Sequence, residues 1–371
     1  MTDQPFTHST PGDQPQTNQR NASGWPVVVL VAVSTVVSEM MPLGSQRWIT
    51  LSDLLTGLIL YGPAPEMWTA LPEVLMGLIL CGSAPLLIRE VVRRRGGGWP
   101  SLMLFGAGYG AFEYGLLGQD WLQHGLFDPY DLRYAALGVL WTTAAGKVVF
   151  TAVWAITLPI LLTELVFRDR RSQPWLRRTG MVAWGAVLAL GSVALWGFTW
   201  ADWSHRYYAH GHIRRVSVLG VAVVAAALLA AGWWSTTALR GRAESVAAPA
   251  PGAAFAGLVA LAGSAAWMGT GYSIDDALPT AGVLLWYLLL LTGSVLLIRV
   301  WLSRPGFDDW HRLACYAGAL AACSIYLFLF DRPTGADLVH RVVVCVVVAI
   351  LLGLLARQLS QSAQATDSRG K

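Results

Sequence analysis

The chain has 371 residues, of which 55% are hydrophobic and 13% are charged, and its formal net charge is +4. Soluble globular domains carry about 25% charged residues, so this composition excludes an ordinary soluble protein. The basic residues are scattered over short segments between apolar runs, which excludes a nucleic-acid-binding surface and is typical of membrane topology. The sequence also lacks the alternating segments of about ten residues that form a membrane β-barrel.

Apolar runs close to the roughly 20 residues that a membrane helix needs recur from end to end. The sequence therefore predicts an all-α, polytopic transmembrane helix bundle of about ten spans. The predicted spans are residues 26–43, 67–91, 99–118, 148–167, 180–199, 216–236, 254–272, 281–300, 313–330 and 338–356.

Composition divides these spans into two membrane regions. A flexible Ala-, Pro- and Gly-containing linker at 241–253 separates a six-span region from a four-span region, and polar stretches at both ends are predicted to be disordered. The predicted divisions are a tail at 1–24, the six-span region at 25–240, the linker, the four-span region at 254–357 and a tail at 358–371.

Two other apolar segments are too short to cross a membrane alone. Residues 49–65 break at Gly62-Pro63 and are predicted to be re-entrant or to lie at the outer interface. Residues 134–147 either lie along the outer interface or extend the fourth span as a long helix.

Basic residues concentrate beside cytoplasmic ends of membrane helices. Placing the Arg93-Arg94-Arg95 turn in the cytoplasm puts most of the 26 basic residues on that side, with residues 201–215 as the local exception. The sequence thus predicts a bacterial plasma-membrane protein, with the bilayer as its partner and both termini cytoplasmic. The arginine-rich loop 168–178 then lies where it can contact anionic lipid headgroups.

Three carboxylates interrupt the first three spans, and a lysine opens the fourth. Glu39, Glu73 and Glu113 fall at similar depths in the outer third of the membrane, and Lys147 lies at a comparable level. A charge at the bilayer centre costs roughly 2.5–3.5 kcal/mol on insertion scales. Buried carboxylates at one depth are therefore expected to be paired, protonated or hydrated.

Helical spacing places each carboxylate on a stripe of small residues, which mark helix–helix contacts. The stripes comprise Ala32, Thr35 and Glu39; Glu73, Gly77, Cys81 and Ala84; and Gly106, Gly110 and Glu113. We expect the three carboxylates to converge, with Lys147 as a counter-charge. Two interpretations stay open, namely an outward-facing cation, proton or substrate site and a structural polar cluster.

One weak repeat joins spans two and four. The segment PLLIREVV aligns with PILLTELV, so that Pro85 matches Pro159 and Glu90 matches Glu164, and arginines and a Trp/Pro pair follow both. Leucine-rich helices that end in arginine also resemble one another by composition alone.

Other polar groups indicate no cofactor and no metal. The loop 201–215 holds Asp202, His205, His210 and His212 at spacings that match no firm zinc motif. The cysteines lie inside apolar runs, as small buried residues do. The loop 119–133, with Asp120, His124, Asp128 and Asp131, is either an outer lid or an ordinary polar loop.

The order LLIREVVRRRGGGWPSL, YGAFEYGLL, PILLTELVF over about residues 50–178 resembles a group of bacterial multi-pass membrane proteins without an assigned activity. That group carries a carboxylate pair after its YG element. Glu113 matches the first position and Tyr114 stands at the second. The resemblance implies a multi-pass membrane fold but no particular activity.

The sequence favours a transporter-like or permease-like protein with an outward-facing acidic site. One alternative is a membrane-embedded enzyme of the CAAX-protease type. That type requires an adjacent Glu pair followed by an Arg, with His residues in later spans, whereas this chain has Glu113 alone and only His340 near a late span. Another is a non-catalytic membrane partner or assembly factor.

Overall fold

The structure is a computed structural model that describes residues 24–38, 65–119, 121, 135–136, 139–206, 211–238, 248–270, 278–329 and 335–369. Glu39, the segment 49–64, most of the loop 119–133 and His210 lie outside the described residues. In the helix ends 65–74, 198–206 and 211–217 only the backbone is described.

Helices form almost all of the described chain. In order they are α1 (Trp25–Ser38), α2 (Pro65–Arg94), α3 (Trp99–Gly110) with a π-helical continuation (Ala111–Leu117), α4 (Trp141–Phe150), a second π-helical segment (Thr151–Thr157), α5 (Leu158–Val166), a 3₁₀ turn (Arg168–Arg170), α6 (Arg178–Arg206), α7 (Gly211–Ala238), α8 (Ala253–Gly269), α9 (Thr280–Leu302), α10 (Asp309–Leu329) and α11 (Gly335–Arg369).

In the described part of the chain, seven helices are long and apolar enough to cross a membrane. This confirms the predicted helical membrane class. The other three predicted spans coincide with the shorter apolar helices α1 and α8 and with α3 and its π-helical continuation. The number of crossings therefore stays a prediction.

The helix from Trp141 to Val166, made of α4, the second π-helical segment and α5, is the centre of the bundle. Its apolar window is 72% buried, whereas the window of α9 is 11% buried and that of α6 17%. Helices that are apolar on every side need an apolar surrounding. The outer helices, including α7 and α11 with windows only 22% buried, leave most of that apolar surface uncovered by the described protein.

Glycines allow α3 to approach this central helix closely. A Cβ at Gly106 would lie 2.8 Å from the Cα of Ala152, and one at Gly110 would lie 2.8 Å from the Cβ of Thr151. The predicted small-residue contact on α3 is thereby confirmed. On α2 the close contact falls elsewhere, because Gly77 faces open space while Gly82 packs against Val31 of α1.

The apolar segment 134–147 divides into two parts. Strand β1 (Ala135–Ala136) pairs antiparallel with strand β2 (Val139–Leu140) in a two-residue hairpin. The central helix begins immediately afterwards at Trp141. Of the two predicted alternatives, the extension of the fourth span is thus the correct one for residues 141–147.

The segment from residue 358 onward, which the sequence predicts to be disordered, is helical in the structure as far as Arg369, where α11 ends. Leu359 is buried, and the Gln358 side chain donates a hydrogen bond to the carbonyl of Val166 at 3.3 Å. Adding a turn to an existing helix is easier than nucleating one, and these contacts hold the first added turn.

Gly318 of α10 tests a close backbone contact between two helices. Its Cβ position would collide with the carbonyl oxygen of Gly257 on α8. Overpacking a dense contact costs about 1–3 kcal/mol, so Gly318→Ala should lower the thermal unfolding midpoint in detergent by several degrees. Gly293→Ala is the control, since Gly293 has no heavy atom near its Cβ position. Equal midpoints for both variants and the unmodified chain would contradict the packing.

Candidate functional site

A fully buried arginine lies at the end of α2. Arg89 Nε donates to Glu164 Oε1 of α5 at 3.1 Å, and Arg89 Nη1 donates to Glu90 Oε1 at 2.9 Å. The remaining nitrogen, Nη2, donates to the carbonyl oxygens of Arg170, Arg171 and Gln173 at 3.1–3.3 Å. All three guanidinium nitrogens are therefore bonded to acceptors from α2, α5 and the following loop.

Trp175 closes the site from the side of the loop. Its ring centroid lies 3.2 Å from Arg89 Cζ, a cation–π stack. Its backbone N–H donates to Glu90 Oε1 at 2.7 Å, and its indole N–H donates to the carbonyl of Arg170 at 3.0 Å. The arginine-rich loop folds back over the buried charge.

Two more arginines form an outer layer. Arg93 donates from Nε and Nη2 to the two oxygens of Glu164 at 2.8 and 2.6 Å, which is bidentate geometry. Arg94 Nε lies 3.4 Å from Glu90 Oε2. We call these five charged residues and Trp175 the arginine cluster.

Removing two opposite charges from water costs several kcal/mol for each ion, and only close pairing with further hydrogen bonds offsets that cost. Glu90 is completely buried, and the Glu164 side chain is 6% exposed. Since both carboxylates serve two arginines, deleting one of them leaves buried positive charge unpaired.

A second set of ion pairs lies nearby and joins the two membrane regions. Asp309, the first residue of α10, lies 2.7 Å from Arg312 Nη1, 3.4 Å from Arg168 Nε and 3.8 Å from Arg171 Nη1. Arg168 and Arg171 belong to the loop after α5, so this contact ties the predicted six-span region to the four-span region.

Asp308 caps α10. Its Oδ1 accepts the backbone N–H groups of Trp310 and His311 at 3.0 and 3.2 Å and lies 2.6 Å from His311 Nδ1. Partial burial raises the pKa of Asp308, but the hydrogen bonds from His311 and Trp310 outweigh burial, so the pKa lies below its ordinary value. His311 Nε2 also lies 2.7 Å from the carbonyl of Pro251, just before α8.

A cavity of about 580 Å³ extends from these ion pairs into the bundle, within the usual range for ligand pockets. We call it the cleft. The end of the cleft beside the ion pairs, which we call its mouth, is lined by Arg93, Trp99, Arg171, Ser172, Trp301, Phe307 and Arg312. The rest, which we call its interior, is lined by apolar residues of α3, α5, α8, α9, α10 and the second π-helical segment, among them Met103, Val153, Leu161, Val259, Leu291, Ile298 and Ala319.

Two polar groups in the interior of the cleft are buried and make no hydrogen bond to the described part of the protein. They are Thr157 Oγ1 and Trp267 Nε1. Thr151 and Thr163 on the same helix donate to the carbonyls four residues earlier, but Thr157 ends a π-helical segment, in which the hydrogen bonds run to the fifth residue instead. An unmet buried polar group costs about 1–3 kcal/mol.

The predicted acidic site is only partly described. Glu39 lies outside the described residues, and for Glu73 only the backbone on α2 is described. Glu113 lies half-buried in the first π-helical segment beside Tyr109, and the buried Lys147 Nζ lies 5.0 Å from the ring centroid of Tyr114. The structure thus brings Lys147 to the residue next to Glu113, and convergence of all three carboxylates stays a prediction.

The sequence does not predict the arginine cluster as a site, because its arginines are explained equally well as markers of membrane topology. One signal in the sequence does point to it. The weak repeat aligns Glu90 with Glu164, and these two carboxylates meet on Arg89 in the structure. The described residues contain no group of three or more His, Cys, Asp or Glu side chains placed to hold a metal ion.

Comparison with known proteins adds no assignment, since no family model, curated protein or solved structure matches this chain.

Glu164→Gln tests the arginine cluster. The variant should lose about 3–5 kcal/mol of unfolding free energy, because it leaves Arg89 and Arg93 short of a counter-charge. Arg171→Gln is the matched control, since its exposed ion pair with Asp309 should contribute less than about 1 kcal/mol. Denaturant titrations in mixed micelles would measure both values, and equal losses would show that the cluster is not a buried ion network.

Asp308 gives a pH test. A depressed pKa contributes stability that is present above the ordinary pKa of about 4 and is lost as the pH falls through the folded value. Asp308→Ala should cost about 1 kcal/mol at pH 7, as the loss of a helix cap does, and the difference in unfolding midpoint should shrink as the pH is lowered below 4. Asp308→Asn keeps a capping oxygen without the charge, so at pH 7 it should be more stable than Asp308→Ala but less stable than the unmodified chain, and its difference from the unmodified chain should disappear below pH 4.

Proposed function

We propose that this chain is a transporter-like membrane protein that admits an amphipathic substrate into the cleft from the arginine-rich end of the bundle. The observation that carries the proposal is the cleft itself. It opens beside paired arginines, runs inward between membrane-length helices and is lined from both sides of the predicted linker 241–253. A largely apolar pocket with a few polar groups is the usual form of a small-molecule site.

The interior of the cleft supports transport rather than simple anchoring of a lipid tail. Thr157 and Trp267 place a hydroxyl and an indole N–H inside the bundle without protein acceptors among the described residues. Both residues line the cleft, and their polar atoms, which neighbouring atoms cover in the structure, would reach a passing polar group after a rotation of the side chain. Polar residues at depth in a membrane protein commonly mark such a route.

The central helix links the cleft to the predicted acidic site. Val149 is the cleft-lining residue nearest its start, and the buried Lys147 lies two residues earlier beside Tyr114. In this proposal the cleft is the open end of the route, and the segment with Lys147, Tyr114 and Glu113 closes the other end.

The orientation is part of the proposal. Because arginine-rich segments are retained on the cytoplasmic side, we assign the mouth of the cleft to the cytoplasm. The bundle then comprises about ten spans, with α1, α8 and α3 together with its π-helical continuation crossing beside the seven longer helices.

Filling the cleft tests the proposal. Gly263 lines the cleft and has no heavy atom within 4 Å of its Cβ position, so Gly263→Trp should place an indole in the cavity without a backbone clash. Proteoliposomes with fluorescently labelled phosphatidylcholine, phosphatidylethanolamine and phosphatidylglycerol would report movement of each lipid between leaflets. The unmodified chain should accelerate at least one of them, and Gly263→Trp should abolish the acceleration.

Gly293→Trp is the matched control for that assay. Gly293 lies on the exposed face of α9, also with open space at its Cβ position, so this variant should transport like the unmodified chain. Transport by Gly263→Trp at the unmodified rate, or no acceleration of any labelled lipid, would overturn the proposal.

A further inference from the structure

We propose that the substrate of the cleft is an anionic membrane lipid, with its phosphate headgroup at Arg171 and Arg312 and a hydrocarbon chain along the cleft. This inference rests on the proposed function and adds the chemical class of the substrate. Two independent features of the described residues carry it, namely a surplus of positive charge at the mouth and the length of the apolar interior.

The ion pairs around the mouth are not balanced. Six arginines share three carboxylates there, which leaves a net charge of +3 on the paired set. Asp308, next to Asp309, lies 2.6 Å from His311 Nδ1, and counting its charge with a neutral His311 lowers the surplus to +2. Positive charge at a mouth with apolar walls attracts anions, since the low dielectric on both sides concentrates the field.

Arg171 and Arg312 are the arginines best placed to bind the headgroup. Both line the mouth, and the Arg171 side chain is 53% exposed and that of Arg312 33%. Each contacts Asp309 through one nitrogen, Nη1, whereas a guanidinium carries five N–H donors. Arginine forks match the oxygen spacing of phosphate.

The interior matches a lipid chain in length. On α9 the cleft is lined from Leu302 at the mouth to Leu290 in the interior, a separation of about 18 Å at 1.5 Å per residue. Half of the hydrocarbon core of a bilayer is about 15 Å. A chain that begins at the arginines therefore follows the cleft through one leaflet.

The apolar walls decide between a lipid and a free anion. A site for inorganic phosphate would enclose the ion with donors, whereas here the donors lie on one side and aliphatic and aromatic side chains line the rest. Trp99 and Trp301 also line the mouth, and indoles favour the headgroup level of a membrane.

Lipid binding to the purified full chain tests the inference. Native mass spectrometry in detergent would compare phosphatidylglycerol with phosphatidylcholine of the same acyl chains. Each arginine near a headgroup is worth about 1 kcal/mol, or about fivefold in affinity. Arg171→Gln/Arg312→Gln should therefore weaken phosphatidylglycerol binding about 25-fold and phosphatidylcholine binding by clearly less, because the choline cation offsets the phosphate charge of that headgroup.

The control is Arg177→Gln/Arg178→Gln, which removes two exposed arginines that follow the same loop and do not line the cleft. It should bind both lipids like the unmodified chain. An equal loss of phosphatidylglycerol affinity in both double variants would show that the arginines act only through general surface charge, and it would overturn the inference. Thermal unfolding midpoints would confirm that both variants are folded.

Two further comparisons distinguish failure of the substrate class from failure of the proposed function. If Gly263→Trp removes binding of both lipids but the arginine variant keeps its affinity for phosphatidylglycerol, the proposed function stands and the anionic substrate class is wrong. If Gly263→Trp binds phosphatidylglycerol like the unmodified chain, both proposals are wrong. Displacement of bound phosphatidylglycerol by inorganic phosphate at equal concentration would identify a site for the free ion and overturn the lipid assignment.

Discussion

The constraint on which the structure depends is the desolvation of the Arg89 guanidinium. A buried ion is tolerated only when its hydrogen-bonding capacity is met inside the protein, and the acceptors for Arg89 come from three separate segments. Glu164 fixes α5 against α2, and the carbonyls of residues 170–173 fix the loop that follows. Trp175 then covers the site. Few alternative arrangements of these segments would satisfy the same charge.

The same arrangement positions the cleft. Glu164 accepts bonds from Arg93 and Arg89 and also lines the cavity, and the loop held by Arg89 presents Arg171 at the mouth. Arginine suits both tasks, because its planar group bonds several acceptors at once and stays charged when buried. A buried network thus holds the loop, and the more exposed arginines nearby supply the surplus charge that we assign to headgroup binding.

The π-helical segments contribute a second local specialisation. They lie on α3 and on the central helix, which approach one another through Gly106 and Gly110. A π-helical turn changes which side chains share a face and which carbonyls are accessible, and such turns occur frequently at functional sites. One of these segments holds Glu113 and the other ends at Thr157, so both irregular segments carry residues that the proposed route uses.

By itself the sequence determined the helical membrane class, the positions of most helices and the glycine contact of α3. These follow from local properties, since apolar length sets where a helix can span and small residues set where helices approach closely. The repeat that aligns Glu90 with Glu164 also contained half of the arginine cluster, although the shared composition of leucine-rich helices that end in arginine explained the repeat more simply.

Only the tertiary structure decided which charges meet. Arg89 and Glu164 are separated by 75 positions, and helical periodicity gives the face of a side chain but not its neighbour on another helix. The folding of the loop 168–178 over Arg89 depends on backbone carbonyls, which carry no residue-specific signal. The cleft likewise forms only where helices from both sides of the linker pack beside one another. No single segment of the sequence predicts that packing.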